Sequence, residues 1–183
     1  EAQFRYAKNR IQTSGLSDKV EIRFEDYRDI QGKFDRIASI EMFEAVGEKY
    51  WPTYFDVVKS RLKDSGKAVL QIITINERDF PVYRKNPDYI QAYIFPGGML
   101  PSKEVLSQQV TKSGLKEDGY LSFGSDYAKT LKIWNQNFQK AWPDISSDRL
   151  NERFKRMWEQ YLCYCEAGFD VGTIDVVQLN LTK

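Results

Sequence analysis

The stretch Phe34-Asp35-Arg36-Ile37-Ala38-Ser39-Ile40-Glu41-Met42-Phe43-Glu44-Ala45-Val46-Gly47-Glu48-Lys49-Tyr50-Trp51 decides the fold. Phe34 to Ile40 reads as a strand, and it breaks directly into an acidic and aromatic turn. A helix follows, because Trp51, Tyr54, Phe55, Val58 and Leu62 recur at helical spacing. A strand that runs through a short turn into a helix is the repeating unit of an α/β sheet. In open α/β sheets, ligands sit beyond the carboxyl ends of the strands. Glu44 therefore lands where chemistry is usually done, as a candidate base or a member of an anion-binding network. An acid at a strand end can equally be a helix cap.

Working outward, residues 1–14 predict a helix with Phe4, Ala7 and Ile11 on one face, stopped by Gly15. Val20 to Phe24 alternates and reads as a strand, followed by the polar turn Asp26 to Asp29. Phe34 to Ile40 is a second, central strand. Asp64-Ser65-Gly66 closes the helix that begins at Trp51, and Ala68 to Ile75 is a third, continuously apolar strand. Strands alternating with helices predict a doubly wound, mostly parallel sheet. Residues 76–113 depart from that pattern. Asn76 to Met99 is aromatic and punctuated by proline, which suits a lid or binding insertion, and Ser102 caps the helix after it. Helices are expected over 126–141 and 147–167, with a last strand over 175–181. The 183 residues read as one portion of a single domain.

Composition narrows the function. Lys plus Arg is 27 against 26 for Asp plus Glu, which argues against a nucleic-acid binder with a broad basic surface. Arg149, Arg153, Lys155 and Arg156 form a local basic cluster, read either as a solvated helix face or as a dock for anionic lipid. The chain has no histidine, which excludes Ser-His-Asp and Cys-His machinery and His-ligated zinc. Proton transfer must then use a carboxylate, Tyr, Lys, water or a bound small anion. Cys163 and Cys165 point to different faces of a helix and suit neither zinc nor a disulfide. No apolar run is long enough to span a bilayer and no signal peptide opens the chain, so a cytoplasmic protein is expected. Doubly wound nucleotide-binding domains carry a Gly-rich turn after their first strand, and none is present: Gly97-Gly98 lies in the insertion. That absence, with an uncapped helix at residue 1, reads as a domain truncated at its N-terminus.

Several segments carry a resemblance. They are Asp26-Tyr27-Arg28-Asp29, Phe34 to Ile40, Met42-Phe43-Glu44-Ala45-Val46-Gly47, Tyr93 to Ser102, Phe123-Gly124-Ser125-Asp126-Tyr127, Ala141-Trp142-Pro143 and Glu152 to Trp158. In this order and spacing the sequence resembles the cyclopropane-fatty-acyl-phospholipid synthases and the mycolic acid cyclopropane synthases. The resemblance implies a class I, Rossmann-like methyltransferase fold and S-adenosylmethionine as cofactor. It implies methyl transfer to the double bond of an unsaturated phospholipid acyl chain, at the inner face of the membrane. A carbocation would then lose a proton to a bound bicarbonate, closing a cyclopropane ring.

By the same resemblance, Glu44 and Tyr127 match anion-site positions. Gln71 stands where the family has His, and Ala45 where a second His is common. Gln71 can donate an N–H to an anion but cannot carry a proton. For the cofactor, Gln3, Asp26, Tyr27 and Ile40 carry over, with Asp26 accepting from the adenine amino group; Asp26 is also a turn former. Cys165 matches a channel-lining helix position, where packing is the simpler role. A methylene or methyl-branched product remains open, as does a non-catalytic lipid-binding or dimerising role. A homodimer is possible. Without the glycine turn, this stretch alone is expected to bind S-adenosylmethionine poorly and to be inactive.

Overall fold

The computed structural model describes residues 1–183, which fall into two compact units, 1–32 and 33–183. The first holds α1 (Ala2–Thr13), whose Phe4 ring lies 5.9 Å from that of Phe24. Val20 to Phe24 is irregular there, not the strand its alternation suggests. A strand needs a ladder partner for its N–H and C=O groups, and no second extended segment exists within residues 1–32 to supply one.

The second unit runs β1 (Phe34–Ile40), α2 (Trp51–Arg61), β2 (Leu62–Ile75), α3 (Phe80–Tyr83), α4 (Tyr89–Tyr93), α5 (Lys103–Ser113), β3 (Lys116–Ser122), α6 (Gly124–Ile145), α7 (Glu152–Asp170) and β4 (Ile174–Thr182). The cap expected at Ser102 holds: its Oγ accepts from the Val105 N–H at the start of α5, whereas α7 begins at Glu152, later than the expected 147. At the start of α7, Asn151 Oδ1 accepts from the N–H groups of Arg153 and Phe154.

The four strands form one sheet in the order β1-β2-β4-β3. The α/β class stands, but the pairing is mixed rather than mostly parallel. Only the β1–β2 pairing is parallel; β4 is antiparallel to both neighbours, so β1, β2 and β3 point one way and β4 the other. The connections explain this. A single returning helix, α2, brings the chain back to run parallel. The α6–α7 pair crosses twice and delivers β4 from the opposite end.

Two further expectations shift. β1 is an edge strand of this sheet, not a central one. Asp64-Ser65-Gly66 lies inside β2, because α2 ends at Arg61 and Leu62 is already extended. The β1–β2 register jumps there, from Phe34 opposite Leu62 to Arg36 opposite Lys67. This irregularity needs Gly66, where a Cβ would meet Leu62 Cδ1 at 2.7 Å and Lys63 O at 2.9 Å.

Strand alternation assigns the faces. Ala68, Leu70 and Ile72 pair with Leu181, Leu179 and Val177, and all six are buried. On that face Tyr54 of α2 donates its hydroxyl to Ser39 Oγ at 2.8 Å, Ser39 being opposite Leu70. Phe43, Trp51, Tyr54 and Phe55 close the layer with ring centroids 5.0–5.4 Å apart around Phe43. On the other face, Ile73 and Val176 pack under Ala128 and Leu131 of α6 and Leu162 and Phe169 of α7. Gln71 and Gln178, opposite each other in the register, share that second face further along.

Candidate active site

The end of β1 turns sharply. Glu41 follows Ile40 with φ 50, the one non-glycine residue at positive φ; this left-handed backbone is rare for L side chains. Its N–H still bonds to Gln71 O at 2.9 Å, so the turn starts from a closed ladder. The next turn, Phe43–Ala45, buries Phe43 in the aromatic layer and places Glu44 on the opposite side.

A cavity of about 1120 Å³ opens on this side of the sheet. Its walls are aromatic and aliphatic: Tyr127, Leu131 and Trp134 from α6, Tyr161, Tyr164 and Cys165 from α7, and Val82, Tyr83, Ile90, Ile94, Phe95 and Met99 from the segment after β2. Part of the expected insertion thus does cover a cavity, whereas α5 packs beside α2 with Leu106 and Val110 buried. The covering segment is pinned. Gln91 Nε2 donates to Gly98 O at 2.7 Å, and the Leu100 N–H donates to Tyr83 Oη at 3.2 Å.

Glu41 and Glu44 both line the cavity. Glu44 ties three segments together. Its Oε1 accepts from the Ile73 N–H at 2.6 Å, its backbone O accepts from the Met99 N–H at 2.8 Å, and its Oε2 is buried without a partner. Burial pushes its carboxyl up to about 7, against the pull of the Ile73 N–H and with a smaller push from Glu41. Near neutrality this side chain is poised between acid and carboxylate.

Glu41 is the residue that sequence reasoning left without a role. Its Oε1 accepts from Gln71 Nε2 at 2.7 Å, and the Tyr127 hydroxyl reaches Oε1 at 2.8 Å and Oε2 at 2.9 Å. Gln178 Nε2 donates to Gln71 Oε1 at 3.0 Å, completing a line across the sheet face. The structure therefore brings Gln71 and Tyr127 together as expected, but on a carboxylate of the chain itself. Glu44 lines the same cavity separately. Burial and then the Glu41 bond push the Tyr127 hydroxyl well above its ordinary value, so it stays a donor. Burial likewise pushes the Tyr161 hydroxyl and the Cys165 thiol up to about 12, which leaves Cys165 a neutral wall residue.

A bicarbonate held by Tyr127 and Gln71 would have to displace the Glu41 carboxylate from both donors. It would also sit against it, at a cost of about 4 kcal/mol for two like charges 4 Å apart at an effective dielectric of 20. The polar groups present do not fit a second anion.

Of the cofactor positions, Ile40 sits at the carboxyl end of β1 with 58% of its surface exposed. Gln3 (in α1), Asp26 and Tyr27 belong to the 1–32 unit. Asp26 accepts from the backbone and guanidinium of Arg28 at 2.8–2.9 Å, which hold it down at about 2. Asp26 and Tyr27 thus give the first unit an acidic acceptor and a ring, and Ile40 gives the second an exposed aliphatic side chain.

Solved structures give the class. The mycolic acid cyclopropane synthase CmaA1, complexed with SAH and CTAB, matches with TM-score 0.78 and 26% identity, over 93% of this chain and 65% of that one. The mixed α/β fold is that of class I S-adenosylmethionine methyltransferases. The family model for mycolic acid cyclopropane synthetase matches residues 1–179, and the chain belongs to that family. It is 37% identical over 182 residues to tuberculostearic acid methyltransferase UfaA1 of Mycobacterium tuberculosis (99% of this chain, 43% of that protein). It is 41% identical over 164 residues to cyclopropane-fatty-acyl-phospholipid synthase of Escherichia coli (90% of this chain, 41% of that protein). The chain spans less than half the length of these relatives.

Proposed function

We propose that the protein carrying this chain methylates the double bond of an unsaturated acyl chain of a phospholipid, using S-adenosylmethionine. The observation that carries the proposal is the cavity itself: its walls are largely apolar and ring-lined, and Glu41, Glu44 and Tyr127 lie in its lining, with Gln71 bonded to Glu41. An acyl chain needs greasy walls along its length and no polar reading. S-adenosylmethionine supplies an electrophilic methyl to the alkene, and the acyl chain is left as a carbocation.

The rings of Tyr127, Trp134 and Tyr161 line the space in which that charge develops. A desolvated ring face stabilises a cation by up to about 2 kcal/mol. The segment bonded to Glu44 at Met99 covers part of the cavity, which supports shielding of the cation from water and loss of a proton over capture of hydroxide. Loss from the new methyl closes a ring; loss from a neighbouring carbon leaves a branched alkene. The likeness to a tuberculostearic acid methyltransferase over 99% of the chain keeps the branched product as a second reading. No helix is long and apolar enough to cross a membrane. Arg149, Arg153 and Arg156 are exposed, which supports contact with anionic lipid at a membrane surface.

The test is mass spectrometry of lipids from cells expressing the intact protein. A gain of one CH₂ per unsaturated chain is expected. Unchanged acyl chains would refute the proposal, and the product's fragmentation separates ring from branch.

A further inference from the structure

We infer that Glu41 is the catalytic base of this site: its carboxylate takes the proton that the cationic acyl chain loses, and no dissolved anion such as bicarbonate is needed. The inference rests on the function proposed above and specifies which group completes the reaction.

Three observations carry it. Glu41 lies in the cavity lining, at a backbone bend with φ 50 that a glycine would hold without strain. Its carboxylate is then aimed by two neutral donors, Gln71 Nε2 at 2.7 Å and the Tyr127 hydroxyl at 2.8 and 2.9 Å. The amide of Gln71 has no freedom to turn its oxygen toward Glu41, because Gln178 Nε2 donates to that oxygen at 3.0 Å. Neutral donors orient a carboxylate without neutralising it, as a guanidinium would. The lone pairs that Gln71 and Tyr127 do not use remain available to a proton. Glu44 keeps Oε1 on the Ile73 N–H and its backbone O on the Met99 N–H, and its Oε2 is buried with no donor to aim it.

In the step assigned to Glu41, one C–H bond of the cationic chain breaks and its hydrogen passes to the carboxylate as a proton. The electron pair of that bond forms the ring bond or the new double bond. A cation and a carboxylate become a neutral lipid and a neutral carboxylic acid, which returns its proton to water after product leaves.

The experiment uses the intact protein, with unsaturated phospholipid vesicles, in buffer stripped of carbon dioxide. The wild type is expected to turn over equally with and without added bicarbonate. Glu41→Gly should lose at least 100-fold in turnover, the scale of a missing general base, and added formate or bicarbonate should restore at least tenfold. Glu41→Gln, whose amide fills the space, should be as slow and not be restored. A separate readout needs no turnover: in NMR with ¹³C-bicarbonate, saturable binding is expected for Glu41→Gly and not for the wild type. Wild-type turnover that requires bicarbonate, or full turnover by Glu41→Gly without an added anion, would overturn the inference while leaving the function intact. If no lipid is methylated, the proposed function fails, and wild-type bicarbonate binding equal to that of Glu41→Gly would show that Glu41 does not fill the site.

Discussion

Replacing Glu44 by Gln should remove a pH dependence of stability that the wild-type protein carries. The carboxyl rises from an ordinary 4.5 to about 7 because it is desolvated beside one backbone N–H, with its second oxygen buried and unpartnered. A raised acid binds its proton more tightly folded than unfolded. Its contribution is therefore fully present below pH 4.5 and is lost as pH climbs toward 7. At about 1.4 kcal/mol per unit, that rise amounts to about 3 kcal/mol. Gln keeps an oxygen for the Ile73 N–H, and leaving its NH₂ where Oε2 was costs the same at every pH. The measurement is urea unfolding of wild type and Glu44→Gln between pH 4 and 8. The variant should gain about 3 kcal/mol on the wild type across that range, most of it between pH 5 and 7. A difference that does not vary with pH would refute the reasoning, by showing that Glu44 titrates alike in the folded and unfolded states.

Tyr127→Phe removes a donor to the Glu41 carboxylate and should cost about 1.5–3 kcal/mol in the same unfolding assay, together with most methyl transfer. Gly66→Ala forces a methyl to within 2.7 Å of Leu62 at the β1–β2 irregularity, and a loss of about 1–3 kcal/mol with a lower Tm is expected. Alkylation by iodoacetamide at pH 8 should mark exposed Cys163 well before Cys165, whose thiol is pushed up to about 12; mass spectrometry of the peptide reads the order.

The parts of the fold legible in the sequence are those whose side chains report burial with a clear period. Phe34 to Ile40, the spacing of Trp51, Tyr54, Phe55 and Val58, and the apolar run from Ala68 fall on the elements they suggest, while Leu62, the last residue of that spacing, already belongs to β2. β3 gave no such signal, because Lys116 to Ser122 is exposed on both faces and bends at Gly119. Val20 to Phe24 alternates but finds no partner, since periodicity reports faces and not pairing. At the site, strand ends and resemblance pointed to Glu44, Gln71 and Tyr127; Glu44 and Tyr127 line the cavity, and Gln71 reaches it through its bond to Glu41. They did not point to Glu41, because its role depends on a positive φ and on a tyrosine 86 residues away. Neither is written in the two residues that separate it from Glu44.

The most direct measurement supplies the intact protein with S-adenosylmethionine labelled in its methyl group and vesicles of monounsaturated phospholipid, and counts label in the acyl chains. Steady incorporation, absent with fully saturated vesicles, is expected if the cavity holds an alkene beside a methyl donor. Equal label in saturated and unsaturated lipid, or none in either, would contradict it.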